Sequence, residues 1–433
     1  MNLSRRHMLG LAGLGLASTT ILAGCAGSGQ SSGKGQESDG PLQFWSNHPA
    51  SSRDIEQKMV DAWNEKNPDQ KAQLVDAGAD YEELAQKFNA ALAGGDLPDV
   101  IVGSDVTWFN FAFQDAIEPL DDLWNSEGIS PDGYVQALLD DYKYKDKHYA
   151  VPYARSTCIM YFRKDVMETA GLPTDRGPET WDEFGEWMPK MVEANGGKPA
   201  LTLPNGSAYL DWYFQAIVWG FGGSYSKEWD PKFTDPKTVE AGEFLKAHYD
   251  AGHISIVEDG ANEFGIGNAA SLVESTGSLG GINKLAHFDF YTTFLPGPAP
   301  ACPTGGAGVA IPSGISDDRK KVAAKFIDFM TNTENTITFT QATGYMPVRT
   351  DAAEKPAEKD FLSKNPNAVT AINQMKSNIR PQDFARVSVS GGGERIGGAL
   401  DKITSGHQDV RPVFEALQSD TQKVIDRDIK PNL

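Results

Sequence analysis

Apolar residues along this chain fall into short runs and into stripes at helical spacing. Leu42-Gln43-Phe44-Trp45 is a brief apolar run between Pro41 and Ser46-Asn47, which predicts a strand. Ile55, Met59, Ala62 and Trp63 then recur at the spacing of one helical face. Ser51 with Asp54 reads as the capping box of that helix, and Asn67-Pro68 ends it. A second strand is predicted over Ala72–Val75, followed by a helical face at Leu84, Phe88, Ala91 and Leu92. Asp80 and Glu83 stand at capping spacing before it, and Gly94-Gly95 stops it. Val100-Ile101-Val102 predicts a third strand, running into Gly103-Ser104-Asp105. Strand, helix and strand repeated in this order imply parallel pairing and an α/β fold. Ligands of such sheets sit beyond the carboxyl ends of the strands, here Trp45-Ser46-Asn47 and Gly103-Ser104-Asp105.

The middle of the chain, from about Arg155 to Phe294, is richer in aromatic residues. Phe184, Trp187, Met188 and Met191 predict another helical face, and Val322, Ala323, Phe326, Ile327 and Met330 the buried side of a helix from about Lys320 to Met330. Pro347 interrupts, and the tail from Asp351 reads as mostly helical. Tyr209, Trp212, Tyr213, Trp219 and Phe221 crowd one segment. A helix core accounts for at least three of these rings; flat rings also grip sugars and quaternary ammonium groups. Thr304-Gly305-Gly306-Ala307-Gly308 precedes Val309-Ala310-Ile311 and offers backbone amides to an anionic or polyhydroxyl ligand, or simply connects two lobes.

The first residues read as an address. Arg5-Arg6 precede an apolar run from Leu9 to Ala23, about 15 residues long and short of the roughly 20 that a spanning helix needs. The paired arginines resemble a twin-arginine export signal, and Leu22-Ala23-Gly24-Cys25 resembles a lipobox in which Cys25 is acylated. The reading is a signal over 1–24, a flexible Gly/Ser/Gln-rich tether over 25–40, and a body held at the outer face of the cell membrane.

Charge and motifs then narrow the chemistry. The 433 residues carry 39 Lys+Arg against 59 Asp+Glu, a net charge of −20, and removing Met1–Gly24 takes away two arginines and gives 37 − 59 = −22. So acidic a surface repels nucleic acid. Beyond Cys25 only Cys158 and Cys302 remain; an exported pair could form a disulfide, and two buried thiols fit equally. There is no H-E-x-x-H, G-x-S-x-G, Walker loop or strand-following G-x-G-x-x-G, so no metal, cofactor or catalytic centre is expected. Gly391-Gly392-Gly393 reads as a turn, and Asp121-Asp122 and Asp140-Asp141 as solvated surface.

Gly94-Gly95-Asp96-Leu97-Pro98-Asp99-Val100, Tyr149-Ala150-Val151-Pro152-Tyr153 and Lys325-Phe326-Ile327-Asp328-Phe329 together resemble the extracellular solute-binding proteins of ABC importers, over essentially the whole mature chain. Asp76-Ala77-Gly78, Tyr153-Ala154-Arg155-Ser156-Thr157, Ser275-Thr276-Gly277-Ser278, Pro303 to Gly308 and Thr343 to Val348 are similar to the members that bind glycerol 3-phosphate and glycerophosphodiesters. That resemblance implies a monomer of two α/β lobes joined by crossing strands near Tyr153–Thr157, near Gly308–Ile311 and after Tyr345, closing on a small ligand and delivering it to a permease without chemistry. Lobe boundaries are expected at 41–153 plus 309–345 and at 154–308 plus 346–433. The implied ligand shell is Tyr81 and Asp105 for hydroxyls, Ser156, Ser275, Tyr345 and Arg386 for phosphate with help from the Gly306 amide, and Trp212 lining the far end. Tyr209 stands where glycerol 3-phosphate binders carry a second tryptophan, which favours a bulkier ligand such as glycerophosphocholine over glycerol 3-phosphate or an oligosaccharide.

Overall fold

The computed structural model describes residues 40–298 and 302–432. The signal, the lipobox and all but the last residue of the tether lie outside the described residues. Among the described residues no helix is long and apolar enough to cross a membrane.

The three strands read from the amino-terminal pattern form as β1 (Leu42–Ser46), β2 (Ala72–Asp76) and β3 (Val100–Ser104). β1 pairs in parallel with both others, as crossover connections require. Helix α1 (Arg53–Lys66) buries Met59 and Trp63, and α2 (Tyr81–Gly94) buries Leu84, Phe88 and Ala91. The reciprocal cap of α2 is in place: Glu83 N–H donates to Asp80 at 2.8 Å, and Ala79 N–H donates to the Glu83 carboxylate at 2.8 Å. Gly95 ends the helix at φ +91°, a conformation that a Cβ would strain. The cap expected at Ser51 and Asp54 does not form. Ser51 sits at φ 57°, still inside a left-handed turn, and the helix starts after Ser52, whose side chain makes no capping bond.

Seven further strands complete the sheet: β4 (Val151–Arg163), β5 (Leu201–Pro204), β6 (Ile254–Val257), β7 (Ser271–Ser275), β8 (Phe290–Thr293), β9 (Cys302–Ala310) and β10 (Ile379–Arg380). Their order is β6-β5-β7-β4-β9-β3-β1-β2, with β8 added to β4 and β10 to β9. A second parallel group, β5 with β6 and β7, therefore mirrors the first, and antiparallel β4 and β9 join the two. β4 has 13 residues, about 43 Å of extended chain, more than one small lobe spans. Its first half, Val151 to Thr157, pairs with β9, and its second half lies between β7 and β8.

Two apolar cores flank this pair of strands. One draws on Leu42 to Ala154, Ala307 to Val348 and Ala371; the other on Cys158 to Cys302 and Ala385 to Leu417. The periodicities hold in each. Helix α3 (Trp181–Ala194) buries Phe184, Trp187, Met188 and Met191, and α5 (Asp317–Met330) buries Ala323, Phe326, Ile327 and Met330 with Val322 half-buried. Cys158 and Cys302 are buried free thiols.

Candidate functional site

All nine residues of the expected ligand shell meet where β4 and β9 pass between the two cores. Ser156 is buried on β4 and pairs in register with Gly305. Gly306 follows at φ +94°, and a Cβ there would lie 2.0 Å from the Ala154 carbonyl, so only glycine lets β9 approach β4 this closely. Its carbonyl accepts the Asp105 N–H at 2.9 Å, which fixes Asp105 at the end of β3.

Asp105 faces the second lobe through a buried charge network. Arg386, 2% exposed, lies on a single helical turn, Phe384–Val387. Its Nε donates to Asp211 at 2.6 Å and its Nη1 to Asp105 at 3.0 Å, while Gln382 accepts from Nη1 and donates to Asp105. Nη2 donates to no described residue. Two carboxylates against one guanidinium leave this cluster net negative. Burial is the main cause that raises the pKa of the Asp211 carboxyl, with Arg386 opposing it.

Around this network stand rings. Trp212 lies on α4 (Leu210–Gly220); its indole N–H donates to the Thr304 carbonyl at 3.2 Å and its ring leaves no space above the Gly305 α-carbon. Of the crowded aromatic segment, Trp212, Tyr213 and Trp219 are buried on α4, as core packing requires. Tyr209 differs: it holds φ 70°, unfavourable for a bulky residue, and its hydroxyl donates to Glu82 on α2 at 2.8 Å. Its ring meets Tyr81 edge-on at 6.4 Å. The Tyr81 hydroxyl is buried beside that of Tyr345, and burial followed by neighbouring Tyr345 raises its pKa. Tyr345 stacks on Phe339 and faces the turn of Ser275, whose Oγ accepts the Gly277 N–H at 3.1 Å.

The sequence reading passed over three groups here and misplaced a fourth. Asp211 was legible as the one acid within an aromatic helix, a position that burial makes costly unless a cation joins it. Gln382 and Arg386 stand four residues apart, but only the fold aims both at Asp105. Glu274 collects Tyr213, Ser278 and the Ser275 N–H on one oxygen and so holds the Ser275 turn against α4. Asp141, expected on solvated surface, instead pairs with buried Arg155 at 2.5 Å, because β4 carries that arginine into the interior beneath it. Asp140 and Asp122 are solvated as expected.

Glu82 supplies a pH test. Burial holds its carboxyl above the ordinary range, against the donating Tyr209 hydroxyl. The native chain thus keeps a proton that the unfolded chain has lost, and stability falls as pH rises through the window above about 4.3. Glu82→Gln is expected to flatten the melting-temperature profile across that window; a slope equal to wild type would contradict the assignment.

Comparison with known proteins decides the family. The model of the bacterial extracellular solute-binding proteins matches residues 58–370. The chain belongs to that family. UgpB from Mycobacterium tuberculosis, solved in complex with glycerophosphocholine, is 45% identical, covers 90% of this chain and 99% of its own, and superposes with a TM-score of 0.87. The sn-glycerol-3-phosphate-binding periplasmic protein UgpB of Escherichia coli K12 is 27% identical over 354 residues, 77% of this chain and 80% of that protein. The GacH receptor of Streptomyces glaucescens, at 19% identity and a TM-score of 0.77 over 90% of this chain and all of its own, shares the fold. This solute-binding protein is therefore the two-lobed substrate-binding component of an ABC importer, and its relatives bind rather than transform their ligands.

Proposed function

We propose that the cleft between the lobes captures a glycerophosphodiester, glycerophosphocholine foremost, and that the closed complex delivers it to the permease. What carries this reading is the 45% identity to a protein solved with that ligand, and it is supported by contacts that link Asp105 to Gly306 and Arg386, Tyr81 to Tyr209, and Tyr345 to the turn of Ser275. Tyr81 and Asp105 take the glycerol hydroxyls. Ser156, Ser275, Tyr345, the Gly306 amide and the remaining Nη2 of Arg386 take the phosphate. Trp212 and Tyr209 line the choline end, where a cation over a ring contributes about 0.5–2 kcal/mol. The charge count favours a diester. Asp105 and Asp211 already outweigh Arg386, so a singly charged phosphate with a cationic head costs less here than dianionic glycerol 3-phosphate.

The lobes are assigned to 41–153 plus 309–345 and to 154–308 plus 346–433; the two apolar cores support the divisions near 154 and 308, while Met346, Val348 and Ala371 pack in the first core. The mature protein acts as a monomer anchored to the outer face of the membrane through acylated Cys25. Calorimetry on the mature body tests the ligand: a micromolar dissociation constant corresponds to about 8 kcal/mol. Heat and a thermal upshift with glycerophosphocholine, exceeding those with glycerol 3-phosphate and maltose, are expected. No response up to millimolar glycerophosphocholine would remove it, and release of choline from the diester would turn the reading to a phosphodiesterase.

A further inference from the structure

A cavity of about 430 Å³ lies behind the cleft. One wall is the helix Leu279–Leu285 of the second lobe; the other is Thr340–Met346, which belongs to the core of the first. The walls meet at a seam that admits only glycine. A Cβ on Gly280 would lie 2.9 Å from the Ala342 carbonyl oxygen, and one on Gly344 2.3 Å from that of Thr276. Tyr345 lines the cavity, and its ring also abuts Gly277 beside Ser275 in the cleft.

Two groups lining this cavity have interactions left to make. Glu358 is fully buried; its Oε2 accepts from Gln341 at 2.9 Å, but its Oε1 has no hydrogen-bond partner. A buried carboxyl oxygen without a donor is expensive, and no lysine or arginine among the described residues pairs with Glu358. Lys284, exposed on the helix that forms one wall, makes no ion pair or hydrogen bond among the described residues. Lys364, by contrast, is committed to Asp360 at 2.7 Å. Phe361, Leu362 and Ile372 supply apolar wall between these polar groups. The volume suits a small molecule, and the lining offers a carboxyl group and an ammonium with interactions left to make.

We propose that this cavity is a second small-molecule site, separate from the ligand cleft, taking a compact zwitterion whose ammonium meets Glu358 and whose carboxylate meets Lys284. Its walls come from both lobes.

Saturation-transfer NMR on the mature protein with millimolar 4-aminobutyrate tests this. Signals are expected with wild type, and they should persist when glycerophosphocholine is added in excess. Lys284→Ala removes an exposed side chain and Glu358→Gln keeps the shape and the Gln341 contact, so both should fold; each is expected to weaken binding at least about tenfold. Butylamine and butyrate, each with one end of the zwitterion, should bind more weakly. The proposal is overturned by the absence of signal with wild type, by equal signal in both variants, or by displacement of the probe with glycerophosphocholine. Because the variants lie outside the cleft, failure here leaves the glycerophosphodiester reading standing, and failure of that reading leaves this one standing.

Discussion

Arg386→Ala is expected to abolish calorimetric binding of glycerophosphocholine and to lower the stability of the ligand-free protein by about 3–5 kcal/mol. The two losses have different origins. Binding is lost because Nη2 is the one guanidinium nitrogen not committed to Asp211, Asp105 or Gln382. Stability is lost because Asp211, 2% exposed, would be left buried with no cation beside it. Its carboxyl already titrates above the ordinary range through burial, and Arg386 is the principal influence holding it down. Without that influence the folded pKa rises further above the unfolded value. The native state then takes up a proton that the unfolded chain lacks, so the variant should regain stability as pH falls and lose it as pH rises. Denaturant titrations at two pH values measure this. Arg386→Lys separates the origins, keeping a charge near Asp211 while losing the planar fork, so it should recover more stability than binding. If Arg386→Ala were as stable as wild type and bound the diester unchanged, the network would have neither role.

The second large effect is expected at Gly306. Alanine there places its Cβ 2.0 Å from the Ala154 carbonyl oxygen in a left-handed conformation. The conformation costs about 1–2 kcal/mol, and forcing apart a packed strand pair about 1–3 kcal/mol more. The displacement would also break the bond from Asp105 N–H to the Gly306 carbonyl and so move a cleft residue. Gly306→Ala should therefore melt lower and bind the diester more weakly. Gly398→Ala is the control: it lies inside the helix Gly392–Ile403 with nothing within 4 Å of the added methyl, where alanine stabilises by up to about 1 kcal/mol. Equal melting temperatures for the two variants would contradict the close approach of β9 to β4.

The pattern of apolar positions was enough for the helices α1, α2, α3 and α5, because each buries one face and a one-faced helix writes its period into the sequence. It was enough for β3 because a strand covered on both faces needs a continuous apolar run, and for β1 because Leu42 and Phe44 alternate into the core. The start of α1 was misplaced by one residue because three left-handed residues, His48, Ala50 and Ser51, turn the chain before it, and no glycine announces them. The candidate site residues came from the family resemblance, but the side chains that pair with them were not legible. Nothing local marks Asp211 as the counter-ion of Arg386, 175 residues away, or separates half-buried Asp141 from solvated Asp140.

What the amino-acid sequence determined alone is whatever depends on near neighbours: element type, caps such as Asp80 with Glu83, and stops such as Gly95. The tertiary structure alone decided how β4 is shared between lobes, which charges are paired in the cleft, and where Glu358 is left half-satisfied. Periodicity and capping act over one or two turns, whereas pairing a buried charge depends on which distant segment the fold lays against it.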